Sequence, residues 1–175
     1  MDSKIALVTG ANGGLGVSVT KALLDAGFIV AGLSPNIKAS DFNHPKFTAV
    51  AADLSTLEAA KKATDSVISK YGKIDVLAHL VGAFAGGQTV ADTDDATFER
   101  MFDLNLNSAF HTLRAVLPHM RKAKSGRLIA IGTRAAEDPG PTVGAYSASK
   151  AALVSLMRAV ALENKDAGIT ANVIL

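Results

Sequence analysis

Tyr146 and Lys150 stand four residues apart in Tyr146-Ser147-Ala148-Ser149-Lys150, a spacing that puts both side chains on one face of a helix. A free phenol, with a pKa of about 10, exchanges a proton poorly near neutrality, and an ammonium beside it favours the phenolate. The pair therefore suits proton transfer to or from a substrate oxygen. Tyrosine and lysine also meet on ordinary helix surfaces, so the meaning of the pair depends on what else the chain places near it.

A second chemical feature lies near the N-terminus, in Thr9-Gly10-Ala11-Asn12-Gly13-Gly14-Leu15-Gly16. It follows a short apolar run and opens a helix-like one. Glycine tolerates the positive φ of a sharp turn and lets the backbone approach a diphosphate, whose charge is favoured by the free N–H groups of a helix start. Alone, such a cluster is a common turn. Between a first strand and a first helix it points to nucleotide binding.

The elements that must position these residues can be read from apolar periodicity. Strand-like runs fall at Ile5–Val8, Phe28–Leu33, Phe47–Ala51, Ile74–Val81, Leu128–Ile131 and Ile169–Leu175. Helical spacing covers Leu15–Ala26, Leu57–Tyr71, Phe98–Met120 and Tyr146–Asn164, with Pro118 expected to kink or fray its helix. Strand and helix alternate, which predicts parallel βαβ units in a doubly wound α/β sheet with helices on both faces. The longer loops, 36–45 and 82–95, both follow strand ends, the edge where open α/β sheets bind ligands.

The spacing T-G-x-x-x-G-x-G, together with Y-x-x-x-K, resembles the short-chain dehydrogenase/reductase family, and the likeness runs over essentially all 175 residues. It implies a three-layer αβα Rossmann fold in one dinucleotide-binding domain, residues 1–175, with the catalytic site built in. The implied activity is hydride transfer between NAD or NADP and a carbonyl or hydroxyl substrate. Catalysis would rest on Asn105, Thr133, Tyr146 and Lys150. Tyr146 would be the general acid or base. Lys150 would tune it and hold the nicotinamide ribose, and Asn105, in Asp103-Leu104-Asn105, would hold a water linking Lys150 to solvent. Thr133 stands where the family has a serine that binds the substrate carbonyl; it offers the same donor and acceptor on a stiffer side chain.

The same likeness assigns cofactor contacts to Gly10, Asn12, Gly13, Gly14, Leu15, Gly16, Ser34, Asp53, Leu54 and Gly82, as well as to Tyr146 and Lys150. Asn12 would brace the turn or approach a phosphate, and Thr9 would tie the turn to neighbouring backbone. Asp53 would accept from the adenine amino group, though a loop or helix-cap role also suits an acid at that place. The two long helices would pair across a homodimer or homotetramer interface.

Three departures qualify the likeness. Where the family reads Asn-Asn-Ala-Gly, this chain has His79-Leu80-Val81-Gly82, and His79 is either a replacement donor or a packed strand histidine. The run from Gly82 to Gly87, with the non-serine Thr133, is similar to the dihydropteridine reductase branch. Leu33-Ser34-Pro35-Asn36 lacks the acid that binds ribose hydroxyls in NAD-preferring members, and Lys38 follows, which favours NADP over NAD. Finally, the family continues beyond Leu175 with a Pro-Gly turn, a substrate-covering segment and another strand. The expectation is a chain truncated after its sixth strand, its C-terminal portion missing, with cofactor binding better preserved than turnover.

Composition limits the alternatives. An apolar fraction of 49% against 19% charged residues predicts a globular domain, and 5% aromatics imply a core of Ala, Val, Leu and Ile. Eighteen basic and sixteen acidic residues leave a charge of +2, scattered apart from Arg121, Lys122 and Lys124, so no nucleic-acid footprint is expected. The absence of cysteine excludes disulfides and thiol chemistry. The four histidines have no metal-ligand spacing. No apolar run suggests a leader or a membrane span, and a cytoplasmic protein is expected. Arg134 and Glu137, directly after Thr133, either reach a substrate or form a solvated loop. A cofactor-binding sensor without chemistry is the alternative to an enzyme.

Overall fold

The computed structural model describes residues 3–175. Six parallel strands form one sheet: β1 (Ile5–Thr9), β2 (Ile29–Ser34), β3 (Phe47–Ala51), β4 (Val76–His79), β5 (Gly126–Ile131) and β6 (Ile169–Ile174). Their order is β3-β2-β1-β4-β5-β6. The order reverses between β1 and β4, and the carboxyl ends of these strands open a crevice at that switch point. The doubly wound α/β architecture is therefore the one the alternation predicts.

The central strands β1, β2 and β4 are buried on both faces, and their successive side chains enter clusters on opposite sides of the sheet. Ile5 and Leu7 join one cluster, with Leu33, Leu77, Leu128, Val116 and Leu153. Ala6 and Val8 join the other, with Val30, Phe42 and Phe47. The first cluster is covered by α2 (Leu57–Tyr71), α4 (Ser108–Ala123) and α5 (Gly144–Asn164). The second is covered by α1 (Gly14–Asp25), through Leu24 and the flanking Val17.

Several boundaries differ from the periodicity. The fourth strand ends at His79, not Val81, because the amides of Leu80 and Val81 turn to the Thr9 hydroxyl instead of a ladder carbonyl. The helix expected from Phe98 is two helices and a turn. Asp94 caps α3 (Asp95–Phe102), accepting from Thr97 N at 2.7 Å, so the helix starts earlier. A π-helical turn over Asp103–Asn107 then joins it to α4. Hydrophobic spacing does not reveal such a turn, which inserts its extra residue inside a helix and is enriched at functional sites. Pro118 does not end α4, which runs on to Ala123. Proline removes its own N–H, and Pro118 sits on the exposed face, where water can satisfy the carbonyl left unpaired.

Candidate active site

The carboxyl ends of β1, β2, β4 and β5 converge on a cleft of about 500 Å³. The turn from Gly10 to Gly16 forms its floor, Ser34 and Pro35 one end, and Gly82 with Phe84 a side wall. Ile131, Gly132, Tyr146 and Lys150 close the other end. Two motifs more than a hundred residues apart thus share one cavity.

The glycine turn has a reason for each of its small residues. Gly10 has φ +65°, a conformation L side chains rarely adopt. A Cβ on Gly16 would overlap Gly10 O and the Ala11 carbonyl. Gly14 differs, since a Cβ there would meet nothing within 4 Å beyond its chain neighbours and its own helix backbone. Nothing in the fold requires Gly14 to be bare, and the space over the start of α1 is open. That start has Gly13 as its cap, no capping side chain and no acid in its first turn. Its free N–H groups and positive dipole end are left for an anion. Asn12 points its Nδ2 to Asp41 Oδ2 at 3.4 Å, bracing the turn against the segment after β2, and Leu15 is half exposed over the cleft.

At the other end, Lys150 is 5% exposed and donates from Nζ to Ile131 O at 2.7 Å. Burial holds its ammonium below the usual lysine range. A Cβ on Gly82 would lie 2.8 Å from Asn105 Oδ1 and 3.1 Å from Lys150 Nζ, so glycine is what lets the β4 loop pass between them. Asn105 is fully buried in the π-helical turn. Its Oδ1 accepts from Ala83 N at 2.8 Å, and its Nδ2 donates to Ala83 O and Ser149 Oγ, each at 3.0 Å. Ser149 in turn donates to Tyr146 O at 2.8 Å. The amide therefore fastens the β4 loop to the helix carrying Tyr146 and Lys150; both its N–H groups are used, and Oδ1 keeps one acceptor site.

His79 is buried at 3% exposure between β1 and α4. Its Nδ1 lies 3.0 Å from Thr9 Oγ1 and its Nε2 3.3 Å from Ser108 Oγ. Burial, and then the Lys150 charge, push its pKa down to about 3. It is both packed and bonded, and it takes over the bracing of the central sheet. Thr9, as expected, ties the turn to neighbouring backbone.

Five expected site residues do not line this cleft: Asn12 and Asn105, which brace it from behind, and Thr133, Asp53 and Leu54. Thr133 caps a 3-10 turn over Arg134–Ala136, accepting from Ala135 N at 3.3 Å, and lines an adjacent hollow with Arg134, Glu137 and Asp138. Glu137 is held there by Arg158 at 3.0 Å. Asp53 and Leu54 line a smaller apolar cavity of about 180 Å³ that shares Ser34, Pro35 and Val81 with the main cleft. Asp53 Oδ1 accepts from Ser55 N, while the cap of α2 is Thr56. Leu54 is buried, and its carbonyl faces His111 Nδ1 at 3.3 Å. Sequence reasoning assigned no role to Phe84, Ser149, Ser108 or the Ile131 carbonyl. Ser149 was within reach, lying inside the Tyr-Lys motif; the others carried no local signal.

The sequence profile of the short chain dehydrogenases matches residues 4–175. The chain belongs to the short-chain dehydrogenase family. A short chain dehydrogenase of Penicillium brasilianum, ausX, is 33% identical over 172 residues, covering 97% of this chain and 66% of that protein. The 7alpha-hydroxysteroid dehydrogenase of Escherichia coli K12 is 31% identical, covering 98% of this chain and 69% of that one. Among solved structures, an NAD+-bound xylitol dehydrogenase superposes with a TM-score of 0.91 at 30% identity, covering 97% of this chain and 68% of its own. The chain spans about two thirds of the length of the curated relatives it matches. Among the described residues of this family member, no helix is long and apolar enough to cross a membrane, and no three His, Asp or Glu side chains cluster as a metal site.

Proposed function

We propose that this chain is a dinucleotide-binding unit with an integrated catalytic site, a cytoplasmic oxidoreductase acting on a small carbonyl or hydroxyl compound. The observation that carries the reading is the single cleft shared by the glycine turn, Tyr146 and Lys150. The uncapped start of α1 and the bare Gly14 fit a dinucleotide diphosphate. Gly10, Gly13, Leu15 and Gly16 would shape that seat, with Asn12 bracing it. Ser34 would meet the adenosine ribose, and Asp53 and Leu54, in the adjoining apolar cavity, the adenine. Gly82 would keep the wall of the nicotinamide end clear beside Lys150. When bound, the nicotinamide supplies or accepts the hydride.

Tyr146 would give a proton to the substrate oxygen in reduction and remove one in oxidation. The Lys150 amine, fixed by Ile131 O, would stabilise charge forming on the phenol oxygen and hold the nicotinamide ribose. Asn105 would act by holding the β4 loop and the Tyr146 helix together, and would contribute to a proton path to Lys150 through its remaining acceptor capacity. Thr133 would bind the substrate carbonyl with the hydroxyl proton its capping role leaves free. No acid lines the cleft at Ser34 and Pro35, and Asp41 is engaged by Lys38 N and Asn12, which favours NADP over NAD. Exposed Phe110 on α4 and Leu162 on α5 support pairing of two or four copies through these helices.

A sensor that binds the cofactor without chemistry is the second reading, and the placement of Thr133 in the adjacent hollow favours it. Following cofactor absorbance at 340 nm against a panel of ketones separates the two. Turnover supports the oxidoreductase; tight cofactor binding with no turnover across the panel supports the sensor.

A further inference from the structure

Phe84 is the most exposed aromatic side chain among the described residues, at 64%, yet it is held in place. Its ring meets that of Tyr146 edge-to-face, with centroids 4.9 Å apart and planes at 73°. Its backbone root is pinned because Asn105 takes both the N–H and the carbonyl of Ala83. The far side of the loop is closed onto the segment before α5 by Gly87 N donating to Thr142 O at 2.9 Å. Gly86 leaves room for the ring: a Cβ there would lie 2.8 Å from Phe84 Cζ and 3.1 Å from Val143 Cγ1. A lone exposed apolar side chain needs no explanation. An ordered one, packed against the phenol of the proposed acid and opening onto the same cleft, does.

The rest of the wall narrows the chemistry. Lys150 is the one charged side chain lining the cleft, and its amine is turned to Ile131 O. No free cation is left near Phe84 in that lining to receive a carboxylate or phosphate on the substrate. An aromatic face beside the reacting oxygen prefers a flat, polarisable ring to a saturated one of equal size.

We infer that Phe84 is a specificity-determining platform, and that the substrate is an uncharged compound whose carbonyl is attached to a flat, conjugated ring. This rests on the proposed function, since the ring is placed by its contact with Tyr146.

The test compares acetophenone, cyclohexyl methyl ketone and benzoylformate, titrated calorimetrically into the protein saturated with oxidised NADP, which cannot reduce them. The expected result is a preference of about three- to tenfold for acetophenone over its saturated counterpart, with benzoylformate weakest. Phe84→Leu, apolar but not aromatic, and Phe84→Ala, each titrated while saturated with oxidised NADP, should bring the two neutral ketones within about twofold of one another. Equal binding of both ketones to the parent protein, a preference that survives in both variants, or no ketone binding to a cofactor-loaded protein would overturn the inference and leave the cofactor site standing. Failure of the parent protein to bind either cofactor would instead remove the functional reading itself, and the inference with it.

Discussion

Thr9 Oγ1 lies 3.0 Å from His79 Nδ1, and this contact fixes how both residues are protonated. The threonine oxygen already accepts from Leu80 N and Val81 N, so its single proton goes to Nδ1. The ring proton is then on Nε2 and donates to Ser108 Oγ, whose own proton goes to Leu104 O at 2.8 Å. The chain of bonds joins the end of β1, the end of β4 and the π-helical turn that carries Asn105. It works only with a neutral imidazole.

Stability should therefore depend on pH through His79. Its folded pKa, about 3, lies below the ordinary 6.5, so the unfolded chain binds more protons between these values. The contribution is fully present above pH 6.5 and is lost as pH falls towards 3. The slope approaches about 1.4 kcal/mol per pH unit at most. Thermal midpoints from pH 7.5 down to 4.5 should fall more steeply for the parent protein than for His79→Gln. Parallel curves would exclude this origin. Nitrogen NMR should find the Nε2–H tautomer throughout.

The bare position at Gly14 separates binding from folding. A Cβ at Gly14 enters open space, and Gly14→Asp adds an acid to the first turn of α1, worth about 0.3–1 kcal/mol in its favour. The same charge faces the proposed diphosphate. Stability should hold or rise slightly while cofactor affinity falls at least about tenfold. Unaltered affinity in an equilibrium titration would move the phosphates elsewhere.

Removing the phenol hydroxyl tests the chemistry. Tyr146→Phe should lower turnover by about 10² or more, with cofactor binding within about threefold of the parent. Comparable activity in the two proteins would rule Tyr146 out as the proton donor. Lys150→Met should lower turnover and weaken the cofactor together, because its amine would serve both.

Asn105→Ala would strip the N–H and carbonyl of Ala83 of their partner in a part-buried setting. A fully buried unsatisfied group costs about 1–3 kcal/mol and water reaches part of this site, so urea unfolding should show a loss of about 1 kcal/mol or more. Turnover measured well below the new midpoint should fall as well, since the β4 loop would no longer be fastened to the Tyr146 helix. A variant as stable as the parent would mean the loop is held by something else.

Residue pattern along the chain was enough to give the architecture and both ends of the site. Alternating apolar runs fix parallel βαβ units, because period-2 and period-3.6 patterns each bury a face in one kind of element only. The turn from Gly10 to Gly16 and the Tyr146–Lys150 pair are equally local, one dictated by backbone sterics and the other by the pitch of a helix. Tertiary structure alone decided what these motifs share. The cleft between them, the Asn105 fastening of Ala83 to Ser149, the Thr9–His79–Ser108 chain and the setting of Phe84 against Tyr146 join residues distant in sequence. The same is true of what spacing along the chain did not show. Thr133 lines a neighbouring hollow, where its hydroxyl caps a turn, and a π-helical turn interrupts a helix that periodicity drew as continuous. Hydrogen-bond partners are chosen by proximity in space, and side-chain spacing along the chain carries no record of that choice.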